Sequence, residues 1–286
     1  MIGVFDSGIG GLTILSALSN RFPSQRFVYL GDHANVPYGE RPSAEIVELT
    51  RRGVERLYAE GCRLVVLGCN TATAIAAREL QQNWLPTSQY NRHNLLGIVA
   101  PTVEVATQTP WAVTTPQYPQ KFNTDTIIVF ATRLTTFSQV YVEEIAKRCP
   151  KVQVHQQACP GLVDAIEADA DESVIDEIVS RSCEAALASL NGRTPERAIL
   201  GCTHYPIVER FFISRLPPAT RILSQPQIVA DSLDDYLGRR PEYADSKDAA
   251  ATNRGGPRLL TTGRPDEITP LARRIWPDAP SFQSAA

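Results

Sequence analysis

Two short stretches of the chain resemble each other, and this internal repeat constrains the fold more than any other feature. Residues 65–71 read Val-Val-Leu-Gly-Cys-Asn-Thr, and residues 198–204 read Ala-Ile-Leu-Gly-Cys-Thr-His. In each stretch an apolar run of strand type ends in Gly-Cys, and small polar residues then lead into a predicted helix. Cys69 and Cys202 lie almost half the chain length apart. The repeat predicts two pseudo-equivalent halves, each with one thiol at the carboxyl end of a strand.

Apolar runs alternate with helix-like stretches along the rest of the chain. The runs lie at 2–5, 27–30, 64–67, 95–99, 126–130, 152–154 and 198–200, and a last strand is predicted at 259–260 before a terminal helix through residue 276. Strands that alternate with helices form parallel sheets that helices cover on both faces. We therefore predict an α/β fold in which ligands gather at the carboxyl ends of the strands.

Three segments fall outside this alternation. Residues 82–94 and 107–123 are rich in Pro, Gln, Thr and Asn, and we interpret them as surface insertions. Residues 239–257 are polar and are predicted to form a mobile loop.

Composition excludes several classes of partner and location. Basic residues number 28 and acidic residues 31, without a basic block, which argues against nucleic acid or an anionic membrane as a partner. No apolar run approaches the roughly 20 residues that span a bilayer, and no basic stretch precedes the first apolar run. Six cysteines are too few for a disulfide framework in 286 residues, so we expect reduced thiols and a cytoplasmic protein.

The matched thiols have a functional and a structural interpretation. A thiol at a helix N-terminus is stabilised as a thiolate, whereas an ordinary free cysteine is a small buried residue. Two cysteines share one context, an apolar run that ends in Gly-Cys before two polar residues, and this match favours function. The cysteines without that context are predicted to be buried and inert: Cys62, Cys149, Cys159 and Cys183.

A metal site is the alternative use of thiols. Zinc needs three or four ligands, usually with a closely spaced pair. Cys202 and His204 could form such a pair, but only Asn70 and Thr71 follow Cys69, and the chain has no C-x-x-C. We predict no metal.

Other strand ends carry polar motifs with two interpretations each. Residues 6–11, Asp-Ser-Gly-Ile-Gly-Gly, form either an ordinary N-cap turn or an anion site, in which Asp6 orients an ammonium group or serves a thiol. Their spacing differs from G-x-G-x-x-G and lacks the lysine of a P-loop, so no nucleotide is predicted. The Pro-Tyr-Gly at 37–39 is a turn or a pocket wall.

The second half offers three further candidates. His204 is either structural or sets the proton balance of Cys202. The hydroxyls of Thr132 and Thr135 either cap a helix or bind a carboxylate. Glu167, considered alone, is a solvated helix residue.

Together these motifs resemble the glutamate racemase family, cofactor-independent enzymes that supply D-glutamate for peptidoglycan. The resemblance runs from residue 2 to about residue 276. It rests on residues 6–11, 31–32, 37–39, 69–71, Thr132, Thr135, Ser138, Tyr141, 160–167 and 201–206.

The resemblance implies roles for individual residues. Cys69 is similar to the thiol that handles the α-proton of the D-enantiomer, and Cys202 to the thiol for the L-enantiomer. Asp6 is similar to the acidic partner on the Cys69 side and His204 to its counterpart on the Cys202 side, and Glu167 resembles a supporting acid. The substrate-binding set implied is Asp6, Ser7, Pro37, Tyr38, Gly39, Asn70, Thr71, Thr132, Thr135, Thr203 and His204.

The resemblance also implies the fold and the partner. It predicts two flavodoxin-like domains with the active site in the cleft between them, the first domain comprising residues 1–99 and 211–286 and the second residues 100–210. Two-base racemisation needs an acid and a base on opposite faces of Cα, which two thiols supply. A pyridoxal enzyme would need a Schiff-base lysine, and none of the four lysines lies in a strand-end motif, so we predict no cofactor. Glutamate is the implied partner, and a homodimer stays open.

Two alternatives remain at this stage. One is an aspartate or hydantoin racemase of the same plan, or a one-thiol decarboxylase; aspartate racemases typically carry Glu where His204 stands, which favours glutamate. The other is a catalytically silent binding or regulatory protein. The sequence departs from the family at Phe137 and in the long insertion before Thr126, neither of which is a matched site residue.

Overall fold

The computed structural model describes residues 1–122, 124–245 and 256–285. The chain divides into two compact units, Met1–Ile98 with Val229–Ala286, and Val99–Ile228. The second junction differs from the predicted boundary at residue 210. Residues 211–228 lie in the second unit because the strand β8 (Arg221–Leu223) pairs with β7 (Arg197–Gly201) of that unit.

The first unit is built on one parallel sheet. In the described part of the chain its strands are β1 (Ile2–Asp6), β2 (Phe27–Gly31), β3 (Leu64–Leu67), β4 (Asn94–Gly97), β9 (Arg258–Thr261) and β10 (Phe282–Ser284), in the order β10-β9-β2-β1-β3-β4. Its helices are α1 (Leu12–Arg21), α2 (Ser43–Ala59), α3 (Asn70–Glu79), most of α10 (Gln225–Arg239) and α11 (Pro265–Ile275).

The apolar sequences of β1 and β2 follow from their central position in this sheet. Every residue of β1 and β2 is buried, because both strands have neighbours on each side and helices above and below. Such strands are continuous apolar runs rather than alternating ones. The register places Asp6 beside Gly31, so the polar residues after both strands lie at one edge.

The second unit has its own parallel sheet. Its described strands are β5 (Thr126–Ala131), β6 (Gln153–Ala158), β7 and β8, in the order β6-β5-β7-β8. Its helices are α4 (Val99–Thr107), α5 (Arg133–Phe137), α6 (Val140–Arg148), α7 (Leu162–Glu167), α8 (Glu172–Ser189) and α9 (Glu209–Arg215). Separate apolar cores line its two faces.

The predicted α/β class with parallel sheets is confirmed. Two strands were not predicted, β8 and β10, since each has only three residues and no long apolar run. The predicted run at 95–99 ends as a strand at Gly97, and Val99 already begins α4.

The interpretation of residues 82–94 as a plain surface insertion is wrong. A π-helical turn at Leu80–Trp84 and a 3-10 turn at Leu85–Thr87 extend α3. Aromatic rings then attach the segment to α2: the Tyr58 ring lies 6.4 Å from that of Trp84 and 4.7 Å from that of His93. The missed signal is this pattern of aromatic residues.

The other two segments differ from each other. Residues 108–122 contain neither a helix nor a strand, and the guanidinium of Arg148 lies 4.4 Å from the Trp111 ring centre. Of the predicted loop at 239–257, residues 246–255 lie outside the described residues. Before them, Asp245 accepts a hydrogen bond of 2.7 Å from the Met1 ammonium group. Among the described helices, none is both long and apolar enough to cross a bilayer.

Candidate active site

The thiol of Cys69 lies where β3 gives way to α3. Cys69 is the N-cap residue of that helix, and the Ala72 N–H donates to its Sγ at 3.4 Å. The Ser7 hydroxyl lies 3.4 Å from the same sulfur. A sulfur that accepts a backbone N–H at a helix N-terminus is stabilised as thiolate. The predicted environment of Cys69 is therefore present in the structure.

Asp6 ends β1 and is completely buried. Its Oδ1 accepts the Gly8 N–H at 2.7 Å. The Asp6 carboxylate thus accepts a backbone N–H of the glycine-rich turn. The helix α1 begins later, at Leu12, and no side chain caps its N-terminus. Of the two interpretations of the turn, the ordinary side-chain N-cap of α1 is wrong.

Gly11 is the residue that makes room for this carboxylate. A Cβ at Gly11 would lie 2.6 Å from the Asp6 Cβ and 2.8 Å from its Oδ2. We expect Gly11→Ala to displace Asp6 and to destabilise the fold by about 1–3 kcal/mol, the usual cost of overpacking. Urea unfolding measures this change, and Gly238→Ala, where no atom lies within 4 Å of the added carbon, is the control. Equal stability of the Gly11 and Gly238 variants would contradict the argument.

Tyr38 has a buried side chain and begins a 3-10 turn, Tyr38–Glu40, with Pro37 before it and Gly39 within it. Its phenol donates to Asp32 Oδ2 at 2.7 Å. Burial, together with the charge of Asp32 and then those of Cys69 and Asp6, raises the pKa of Tyr38 far above its usual value. The phenol therefore keeps its proton, and toward a ligand its oxygen acts as an acceptor.

Cys202 follows β7, but the predicted α-helix directly after it is wrong. The next residues form a 3-10 turn, Tyr205–Val208, with Pro206 in its first turn, and α9 begins only at Glu209. Cys202 therefore does not have the helix N-terminus that Cys69 has.

The side chain of His204, rather than a helix N-terminus, lies beside the Cys202 sulfur. The Nδ1 of His204 lies 3.8 Å from the Cys202 sulfur, and its Nε2 lies 2.9 Å from Glu167 Oε1. Burial alone lowers the pKa of His204, but the hydrogen bonds and negative charges of Cys202 and Glu167 outweigh burial and raise it to about 10. At neutral pH His204 is an imidazolium that donates to both partners. The interpretation of Glu167 as a solvated residue is wrong.

This raised pKa makes stability depend on pH. Protonated His204 stabilises the fold fully below the pKa of an unfolded histidine, about 6.5, and this stabilisation is lost as the pH rises toward 10. We expect the free energy of unfolding to exceed that of His204→Gln by about 1–3 kcal/mol at pH 6 and by much less at pH 10. Urea unfolding at both values tests this, and a difference that stays constant with pH would contradict it.

The remaining predicted residues fall into two groups. Asn70 and Thr71 open α3 beside Cys69 and are buried, and Thr203 is buried between Cys202 and His204. Thr132 Oγ1 accepts the Thr135 N–H at 3.3 Å and caps α5, so the capping interpretation is confirmed. Binding of a substrate carboxylate by these hydroxyls stays a prediction.

Asp32 and Tyr205 are absent from the predicted site. Asp32 directly follows β2, one residue after Gly31, which pairs with Asp6 at the end of β1, and this position after an apolar strand was the available signal. Tyr205 is fully buried in the same apolar cluster as Cys202 and Cys159. The four cysteines that lack the context shared by Cys69 and Cys202 are buried, as predicted. For example, burial raises the pKa of Cys183 to about 12.

The fold and the thiols define a class of protein: an α/β chain of two units, each with a buried thiol at the carboxyl end of a strand, as in the amino-acid racemases that the motifs resemble. Comparison with known proteins agrees. The glutamate racemase of Phenylobacterium zucineum is 46% identical over 290 residues, covering 99% of both chains. The glutamate racemase isoform solved from Bacillus anthracis superposes with a TM-score of 0.82 at 26% identity, covering 99% of this chain and 96% of that one.

A third comparison concerns a liganded structure. The Francisella tularensis glutamate racemase solved in complex with D-glutamate has a TM-score of 0.79 at 24% identity, covering 99% of this chain and 95% of that one, and supports the fold. A search with models of protein families finds no match. The chain belongs to the glutamate racemase family.

Proposed function

We propose that this protein interconverts L- and D-glutamate without a cofactor, with Cys69 and Cys202 as the two acid–base groups. One observation carries the proposal: each unit holds a buried thiol at the carboxyl end of a strand, and each sulfur has its own polar partner, the Ala72 N–H at Cys69 and the His204 ring at Cys202. Family membership over nearly the whole chain supports glutamate as the substrate. Supply of D-glutamate for peptidoglycan in the cytoplasm belongs to the same proposal.

In the proposed racemisation, one sulfur removes a proton from Cα and the other delivers a proton to it. For L-glutamate, the Cys202 thiolate takes the α-proton and becomes a thiol, which leaves a carbanion at Cα. The Cys69 thiol then gives a proton to the opposite face and becomes a thiolate. The reverse direction uses the same groups in exchanged roles, so the enzyme needs both thiols for either direction.

The surrounding groups supply charge stabilisation. The His204 imidazolium stabilises the Cys202 thiolate before deprotonation, and Glu167 holds the imidazolium in its charged form. The N-terminus of α3 and the Ser7 hydroxyl stabilise the thiolate form of Cys69. We propose that Asn70, Thr71, Thr132, Thr135 and Thr203 bind the carboxylates, where donors would also stabilise the developing negative charge.

The experiment that tests this proposal is a racemisation assay with the purified, reduced protein and no added cofactor. L-glutamate, L-aspartate and a chiral hydantoin are incubated separately, and circular dichroism follows the loss of optical activity. We expect loss with glutamate alone. Loss with aspartate or the hydantoin instead would overturn the substrate assignment, and no loss with any of them would favour a silent binding protein.

A further inference from the structure

The turn after β9 is joined to the loop after β2. β9 pairs with β2, and the turn continues this pairing, because Thr262 N donates to the Gly31 carbonyl at 3.2 Å. The Thr262 hydroxyl donates to Asp32 Oδ1 at 2.8 Å and accepts the Ala34 N–H at 3.0 Å. A residue near the end of the chain thus reaches the loop that carries Tyr38.

Asp32 accepts hydrogen bonds from three side chains of this region. Its buried carboxylate accepts from Tyr38 at 2.7 Å, from Asn35 at 2.9 and 3.1 Å, and from Thr262. A buried carboxylate is stable only when donors surround it, and hydrogen bonds to a charge are stronger than neutral ones. Loss of one donor therefore changes the position of the carboxylate and of the groups that donate to it.

Thr261 fixes the turn from which Thr262 projects. Its hydroxyl accepts the Gly263 N–H at 2.9 Å and lies 2.8 Å from His33 Nδ1. A Cβ at Gly263 would lie 3.0 Å from the His33 Cβ, so the turn packs closely against the loop. This packing holds the backbone from which the Thr262 side chain projects.

The other end of the network lies beside Cys69. The turn at Tyr38–Glu40 contacts α3, the helix that Cys69 caps. Asp32 sets the orientation of the Tyr38 phenol, and the charge of Cys69 is one of the causes that raise the pKa of this phenol. The contacts therefore run from Thr262 through Asp32 and Tyr38 to the Cys69 side of the site.

We infer that Thr262 is a positioning residue for proton transfer at Cys69, acting through Asp32 and Tyr38. The inference rests on the proposed racemase function. It assigns a role to the segment that follows residues 246–255, outside every motif matched from the sequence.

The test is Thr262→Val, which removes the hydroxyl but keeps the size of the side chain. Loss of a hydrogen bond to a buried charge predicts a decrease of about tenfold in kcat/KM, equal for both enantiomers because they have the same free energy. The deuterium isotope effect distinguishes proton transfer at Cys69 from proton transfer at Cys202. We expect it to rise with D-[2-²H]glutamate, whose deuteron is assigned to Cys69, and to fall with L-[2-²H]glutamate.

Two variants control the test. Thr262→Ser keeps the hydroxyl and is expected to preserve the isotope effects of the wild type. Thr269→Val removes a buried hydroxyl of the same unit, which donates to the Pro265 carbonyl and accepts the Phe282 N–H. It is expected to lower stability without opposite shifts in the two isotope effects.

The outcomes separate the two claims. Wild-type protein that racemises no glutamate overturns the proposed function and the role of Thr262 with it. Active wild type in which Thr262→Val matches Thr269→Val overturns the role of Thr262 alone. If Thr262→Val does not fold, the serine variant decides: opposite isotope shifts despite its hydroxyl would overturn the inference.

Discussion

Replacement of Cys69 by Ser is expected to slow glutamate racemisation by about a thousandfold or more. A serine hydroxyl is a far weaker acid than a thiol, so the acid–base contribution of this group, about 10²–10⁴ in rate, is lost. Cys202→Ser is expected to have an effect of the same order, because each direction of the reaction uses both groups. Circular dichroism of L-glutamate, with melting curves to show that the variants fold, measures both losses.

A matched control for these variants is Cys183→Ser. Cys183 is equally buried, but it lies in α8 and its raised pKa keeps it a neutral thiol. We expect the variant to lose stability, as a hydroxyl replaces a buried thiol, and to keep the turnover of its folded fraction. Turnover in Cys69→Ser within tenfold of the wild type would exclude Cys69 as an acid–base group.

Glu167→Gln is expected to lower kcat/KM about a hundredfold at neutral pH and to shift the alkaline limb of the pH profile to lower pH. The carboxylate helps to raise the pKa of His204 to about 10, so its removal lets the imidazolium lose its proton earlier as pH rises. A neutral His204 no longer stabilises the Cys202 thiolate. The loss corresponds to about 2–3 kcal/mol, the usual value for a hydrogen bond between charged groups.

The control for Glu167→Gln is Glu172→Gln, on the same unit. Glu172 is exposed and pairs with Arg210 on the surface, where an ion pair contributes little. Steady-state rates between pH 6 and 10 are compared for both variants. An unchanged alkaline limb in Glu167→Gln would show that Glu167 does not control the charge of His204.

The fold could be predicted because its buried strands are continuous apolar runs. β1, β3 and β7 are central strands in which every residue is buried, so their apolar runs mark their positions in the sequence. β8 and β10 could not be predicted, since three residues carry no periodicity and their pairing depends on distant parts of the chain. The second domain boundary was misplaced for a similar reason, because residues 211–228 are assigned by contacts with other elements: α9 packs on α8, and β8 pairs with β7.

The candidate site shows the same division between local and distant information. The position of Cys69 at a helix N-terminus follows from local sequence, and the structure has it. The surroundings of Cys202 do not, because Pro206 favours a 3-10 turn and because Glu167, which keeps His204 charged, lies 37 residues before that histidine, in α7. Thr262 lies 230 residues from Asp32, and no local pattern connects them.

The measurement that tests the two-thiol mechanism most directly follows hydrogen at Cα during the first few per cent of reaction in D2O. Unlabelled L-glutamate is incubated with the reduced protein, and the two enantiomers are separated and analysed by mass spectrometry. Two bases on opposite faces predict D-glutamate that carries deuterium in every molecule, while the remaining L-glutamate keeps its proton. D-glutamate that retains the original proton would show that one group moves it between faces, and would contradict the mechanism.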